Sequence, residues 1–224
     1  MRQSVERTPA VAVFARAVVA GKTKTRLIPA LGPDGAARFH GALVADALRK
    51  VAGFKGDLAR YVFTTGGNLP KETVPAALEC RRQQGRDLAQ RLDRAFAGLL
   101  RRHSRVVIIG TDSPVLAPAM LRLALAELRT TDSVLGPCPD GGYYLIGLQR
   151  NCRGLFSGLR LGTVFAFRDT LGSLLGRGLS CSVLEPCPDV DRPTDLFALK
   201  KSLIENPAAR RLAPHIWRFL SKTV

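Results

Sequence analysis

The sequence predicts an α/β fold in which a mixed, mostly parallel sheet carries helices on both faces. Two observations predict the alternation: short apolar runs recur between amphipathic stretches, and polar loops follow where the apolar runs end. A third, 46% hydrophobic residues in a chain of 224, provides for one large core, so a single domain over 1–224 is expected.

The runs "AVAVF" (10–14), "ARYVFTT" (59–65), "RVVIIGTD" (105–112), "SVLGP" (133–137), "YYLIGL" (143–148) and "SCSVLE" (180–185) read as strands. Helical spacing marks "GPDGAARFHGALVADALRKVA" with Asp34 as its cap, "DLAQRLDRAFAGLLRR" from Asp87, "APAMLRLALAELR", "VFAFRDTLGSLLGRG", "PTDLFALKKSL" and a final "ENPAARRLAPHIWRFLSK". Only "CPDGG" separates "SVLGP" from "YYLIGL". That gap is too short for a crossover helix, so these two strands should reverse on each other and make the sheet mixed.

Charge and cysteine usage bound the function. Lys and Arg number 34 against 18 Asp and Glu, a net charge of +16, which favours an anionic partner through long-range attraction. The arginines occur in ones and twos, and aromatics make up only 6%, which argues against a nucleic-acid interface and for a solvated basic surface on a protein that handles small molecules. The five cysteines form no C-x-x-C pair and no zinc-spaced set with a histidine, so they read as reduced and mostly structural. Apolar runs stay short of the roughly 18–20 residues of a membrane span. The opening "MRQSVERTPA" lacks a signal-peptide core, so the cytoplasm is the expected compartment. His40, His103 and His215 read as lying away from the polar loops, and no Ser/His/Asp or Cys/His set suggests a covalent nucleophile.

In open α/β sheets ligands bind beyond the carboxyl ends of the strands. Four loops occupy such ends and should converge. In "VVAGKTKTR", Gly21-Lys22-Thr23 spells the end of a P-loop, but Arg16 stands where its first glycine belongs, and Pro29 and Gly32 interrupt the helix that should follow. What survives is a glycine-hinged basic loop whose Lys22, Lys24 and Arg26, at alternate positions of an extended segment, would fan along one edge towards a polyphosphate. Each charge-assisted bond to phosphate contributes about 1.5–3 kcal/mol.

In "GTDSP", Asp112 stands just past a β-branched strand and too far before Pro118 to cap its helix, which suits a metal ligand. In "PDVDRPTD", Asp189 and Asp191 share one edge of an extended segment and join Asp112 as metal ligands, whereas Asp195 belongs to the first turn of the next helix. In "CPDGG", Gly141 and Gly142 after Asp140 permit either a ligand-facing loop or an ordinary turn, and spacing does not choose between them.

Taken in order, "GKTKTRLIPALG", "QGRDLAQRL", "GTDSPVL", "LGPCPDGGYYLIGL" and "DVDRPTDL" resemble the GT-A-type nucleotide-diphospho-sugar transferase superfamily. Within it the chain looks like the bacterial radical-SAM/selenodomain-associated transferases, over roughly residues 10–200, with relatives among phospholactate and molybdenum cofactor guanylyltransferases. The resemblance implies a single-domain, Rossmann-like GT-A fold with Mg²⁺ or Mn²⁺ at Asp112, Asp189 and Asp191. It implies a phosphate cradle at Gly21, Lys22, Lys24 and Arg26, with Gln84, Gly85 and Asp87 close to the nucleotide. Asp140, Gly141, Gly142 and Tyr143 would face the transferred or accepting group. Two departures concern the acceptor side: "LGT" (161–163) keeps only Thr163 of the family's Trp-Ser-Thr, and the proline usual before the basic loop is missing.

Such a chain is expected to be a metal-dependent transferase with a nucleotide and a small molecule as its substrates. In nucleotidyl transfer, Lys24 and Arg26 would hold the leaving phosphates of a nucleoside triphosphate. In glycosyl transfer, Asp140 could deprotonate an acceptor hydroxyl. Three cations exceed what a diphosphate with its metal requires, which favours nucleotidyl transfer. A non-catalytic nucleotide- or nucleic-acid-binding protein is the remaining alternative, and it would be indifferent to Mg²⁺.

Overall fold

The structure, a computed structural model, describes residues 7–223; the signal-peptide reading of residues 1–6 lies outside them. The chain runs β1 (Ala10–Arg16), α1 (Ile28–Ala52), β2 (Ala59–Thr65), β3 (Glu79–Arg82), α2 (Leu88–Leu100), β4 (Val106–Ile109) and α3 (Pro118–Glu127). It continues with β5 (Ser133–Pro137), β6 (Tyr143–Leu148), α4 (Ala166–Leu175), β7 (Cys181–Val183), α5 (Pro193–Glu205), α6 (Pro207–Leu212) and α7 (Pro214–Thr223). The described strands form one seven-stranded sheet in the order β3-β2-β1-β4-β6-β5-β7.

The central strands β1 and β4 are almost wholly buried because helices cover both faces, and their sequences are accordingly near-continuous apolar runs. Val11, Val13, Val107 and Ile109 pack with α1 and α3, while Ala10, Ala12, Val106 and Ile108 face α2 and α4, as the two-residue strand period requires. A third cluster ties Leu27, Phe39 and Leu43 to α5, α6 and α7 through Leu199, Leu203, Ala209, Ile216 and Leu220. Each fully buried side chain of this kind contributes about 1.5–3 kcal/mol.

β6 runs antiparallel to both β4 and β5, and the other pairings are parallel. The expected reversal at "CPDGG" is therefore present. It places the loop after β5 at the same edge of the sheet as the loops after β1 and β4. Close packing at the reversal needs Gly136, since a Cβ there would lie 2.4 Å from the Tyr144 ring.

Three expectations need correction. β3 (Glu-Cys-Arg-Arg) is an added edge strand, parallel to β2 and largely exposed; its polar sequence carries no strand pattern, and charged edges discourage stray pairing. The C-terminal helix is two helices, α6 and α7, because Pro207 and Pro214 each open a new one. Asp34 does not cap α1: the helix begins at Ile28 and kinks at Gly32 (φ 68°, ψ 168°), leaving Asp34 inside it. No helix among the described residues is long and apolar enough to cross a membrane.

Candidate active site

The loop after β1 is coiled, not extended. Gly21 (φ +72°) turns the chain, Lys24 adopts the left-handed conformation (φ 47°, ψ 45°), and Thr25–Leu27 form a 3-10 turn. Lys22 N and Thr23 Oγ1 both donate to the Val19 carbonyl, at 3.1 and 3.0 Å. The three cations therefore do not fan along one edge. Lys22 and Arg26 stay exposed, while Lys24 turns inward, its side chain only 5% exposed.

There the Lys24 ammonium meets Asp191 Oδ1 at 2.6 Å, the Val190 carbonyl at 2.7 Å and Asp112 Oδ1 at 2.8 Å. Three acceptors match its three donors. Burial pulls the Lys24 pKa down, but Asp112 and Asp191 outweigh it and leave the pKa raised. For Asp112 burial pushes up and Lys24 pulls down, with a net lowering. Arg26 Nη1 adds a looser 3.5 Å contact to Asp191 Oδ2. The Asp112 and Val190 backbones are joined by a 2.9 Å hydrogen bond, so the loops after β4 and before α5 are fixed to one another. Asp195 accepts from the backbone N–H groups of Asp191 and Arg192 at 3.0 and 2.7 Å, holding the Asp191 turn as a structural residue.

Asp189 belongs to a second group. Potential ligand atoms of Asp189, Asp140 and Cys138 all lie within 4.8 Å of one another. Burial, then repulsion from Asp140, Asp191 and Asp112, pushes the Asp189 carboxyl up to about 6. Burial, then Asp189, also raises the Cys138 thiol. The expected trio Asp112, Asp189 and Asp191 is thus divided, with Asp112 and Asp191 bridged by Lys24 and Asp189 beside Asp140. All four carboxylates nevertheless line one cleft of about 230 Å³. A buried cysteine, Cys138, also stands in the acidic group.

On the acceptor side, Asp140 Oδ1 accepts from Gly142 N at 2.8 Å. Gly141 (φ +89°) packs so tightly that a Cβ would lie 2.1 Å from the Val164 carbonyl oxygen. Gly141 O also accepts from Phe167 N at 2.9 Å. Gly141→Ala is therefore expected to destabilise the protein by about 2–4 kcal/mol, measured by urea unfolding. An unchanged midpoint would show that the loop is not held this way.

Thr163 Oγ1 donates to the Arg160 carbonyl at 2.7 Å and accepts from Phe165 N at 3.2 Å, bracing the loop before α4. Tyr143 lines the acidic cleft, but its hydroxyl is buried beside Thr170 and pushed up to about 12 by that burial.

Two larger clefts meet at Arg26, Asp191 and Gly162, which line both. One, about 590 Å³, runs along the basic loop to Asp112; the other, about 780 Å³, runs past Asp140, Thr163, Asp189 and Arg192. Gln84 lines neither and opens into a separate basic cleft. Gly85 (φ +139°) is required by close packing on Gln90, and Asp87 caps α2 by accepting from Gln90 N at 2.8 Å. The sequence reading missed Gln83, whose amide reaches the Ala15 and Phe63 carbonyls at 3.2 and 3.0 Å, and Arg91, which lines the basic-loop cleft.

It also missed His40, which lines that same cleft. Its Nε2 lies 3.1 Å from the Arg16 carbonyl, which can only accept, so Nε2 carries the proton. Nδ1 is buried without a hydrogen-bond partner, and burial lowers the pKa of the ring. A helical position on an apolar face gave no signal of this.

The same architecture recurs in solved structures. A protein from Desulfovibrio desulfuricans G20, provisionally described as a nucleotide-diphospho-sugar transferase, is 28% identical with a TM-score of 0.84, over 96% of this chain and 94% of that one. A cytidylyltransferase from Leptospira borgpetersenii serovar Hardjo-bovis matches at 16% identity and a TM-score of 0.58, over 97% of both chains. Rv0371c from Mycobacterium tuberculosis H37Rv, solved as a manganese complex, matches at 21% and 0.53, over 88% of this chain and all of that one. No curated protein matches. The fold is that of nucleotidyl- and sugar-transferase-type proteins. Residues 47–163 match the model of DUF2064, described as an uncharacterized protein conserved in bacteria, and the chain belongs to that family.

Proposed function

We propose that the chain is a divalent-metal-dependent transferase that moves a nucleotidyl group from a nucleoside triphosphate onto a small phosphorylated acceptor, the whole chain serving as one nucleotide-binding domain. The observation that carries this reading is the convergence of Asp112, Asp140, Asp189 and Asp191 on one cleft, beside a loop of exposed cations.

The residues fit a hard divalent cation. Four carboxylates supply oxygen donors of the kind Mg²⁺ and Mn²⁺ prefer, and a cation would relieve the repulsion from Asp140, Asp191 and Asp112 that, after burial, raises the Asp189 pKa. Asp112 and Asp191, with Asp189 and Asp140 alongside, would hold it. Bound there, the ion would neutralise charge on the reacting phosphate.

The chain's own groups divide the remaining work. Lys24 fixes Asp112 and Asp191 and balances their charge. Lys22 and Arg26 are exposed at the mouth of the nucleotide cleft, where they would bind leaving phosphates as they separate. Arg26 and Arg192 line the neighbouring larger cleft, which supports an acceptor that bears a phosphate. The phosphate nucleophile then needs no base, and Asp140 has no proton to take.

Glycosyl transfer is the second reading, favoured by the provisional description of the Desulfovibrio protein. There Asp140, exposed and lining both the larger cleft and the acidic one, would act as base. Incubation with each nucleoside triphosphate or nucleotide sugar, Mg²⁺ and a pool of small metabolites separates the two. Pyrophosphate release is expected; release of free nucleoside diphosphate from a nucleotide sugar would replace the first reading with the second.

A further inference from the structure

Outside the acidic centre, β3 and α2 frame a cleft of about 320 Å³ lined by Arg81, Arg82, Arg91 and Arg94, with Gln84 at its rim and Phe63 at its wall. Four guanidinium groups around one concavity repel each other, and the nearby acids do little to offset them. Glu79 pairs with Arg81 at 2.8 Å, Asp87 is engaged as the cap of α2, and Asp93 is bonded to the Phe156 backbone. Arg82 and Arg94 form no ion pair among the described residues.

Two of the groups are aimed rather than loose. Arg91 is held by the Gly85 and Arg86 carbonyls at 3.1 and 3.4 Å. Arg81 lies over the Tyr61 ring, 4.5 Å from its centroid. Planar guanidinium forks in fixed positions suit bidentate capture of phosphate oxygens. The small residues Ala95 and Gly98 on α2 complete the lining and leave the space open.

We infer that this cleft is an anion site, distinct from the proposed active site, for a small ligand carrying a phosphate or diphosphate group. The volume is that of a small-ligand pocket. A nucleic-acid strand is disfavoured, because the Tyr61 face is already covered by Arg81 and Phe63 is buried, leaving no aromatic platform on which bases could stack. Arg91 lines both this cleft and the one along the basic loop, so an anion here would share a wall with the proposed nucleotide cleft. The inference does not depend on which transfer reaction that cleft performs.

The test is calorimetric titration with inorganic pyrophosphate in EDTA at fixed ionic strength. The Arg82→Ala/Arg94→Ala variant is expected to bind at least tenfold more weakly than wild type. Lys55→Ala/Lys71→Ala removes the same charge from exposed positions elsewhere and is expected to bind within twofold of wild type. In Lys22→Ala/Arg26→Ala, altered at the proposed nucleotide cleft, pyrophosphate binding is expected to persist.

Wild-type affinity in the arginine variant would overturn the inference. So would an equal loss in the Lys55/Lys71 control, or complete loss in Lys22→Ala/Arg26→Ala. A single-stranded oligonucleotide that binds through Arg82 and Arg94 while pyrophosphate titrates silently would overturn it too. Thermal unfolding of each variant confirms that it is folded before titration.

Discussion

Lys24→Met should lose about 1–3 kcal/mol of stability in EDTA and regain most of it when Mn²⁺ is added. Breaking a buried ion pair from one side costs about 3–5 kcal/mol, but Asp112 and Asp191 are 46% and 35% exposed, so water screens part of that loss. The replacement keeps the bulk of the lysine stem and removes only the ammonium. A divalent cation on the freed carboxylates would bind the folded state alone and stabilise it by mass action.

The pH dependence follows from the two shifts. Asp112 titrates below its ordinary value, so its contribution is present above the unfolded carboxyl pKa and lost as pH falls through the depressed one. Lys24 titrates above 10.5, so its contribution is present below that value and lost as pH rises through the raised one. The difference between wild type and variant should be flat across neutral pH and shrink below about pH 4. Urea unfolding in EDTA measures it. A variant as stable as wild type at pH 7, indifferent to Mn²⁺, would show that Lys24 is not the counter-ion of this centre.

Asp189→Asn should separate stability from activity. The Asp189 carboxyl is raised to about 6 by burial and by Asp140, Asp191 and Asp112. A raised acid favours its protonated form in the fold, so the metal-free wild type loses stability as pH climbs from about 4 to about 6. Removing the charge should therefore stabilise the metal-free protein at pH 7 by about 1–2 kcal/mol, with no such gain at pH 4. Turnover should fall about 100-fold or more, since one oxygen donor of the centre is gone. Loss of both stability and activity would mark Asp189 as a structural residue.

The sequence carried much of this and missed the rest for local reasons. β1 and β4 were legible because burial on both faces demands continuous apolar residues, and the reversal between β5 and β6 because five intervening residues leave no room for a helix. β3 was not legible, since an exposed edge imposes no apolar alternation.

In the site, the positions of the four loops could be read, but not the conformation of the first. The alternate spacing of Lys22, Lys24 and Arg26 suggests an extended segment, and only the positive φ at Gly21 and Lys24 turns Lys24 onto the carboxylates. Cys138 and Asp189 come from loops distant in sequence, so no spacing rule could pair them. His40 is hidden on the buried face of α1, with its unpartnered Nδ1 evident only in three dimensions.

Equilibrium titration of Mn²⁺ with a nucleoside triphosphate into wild type and Asp112→Asn tests the central claim, a divalent cation and a nucleotide held together by the acidic cleft. The wild type should bind the pair much more tightly than it binds the nucleotide in EDTA. Asp112→Asn should lose at least tenfold in the presence of Mn²⁺ while unfolding cooperatively like the wild type. Equal affinity of the two proteins for the metal–nucleotide pair would contradict the assignment.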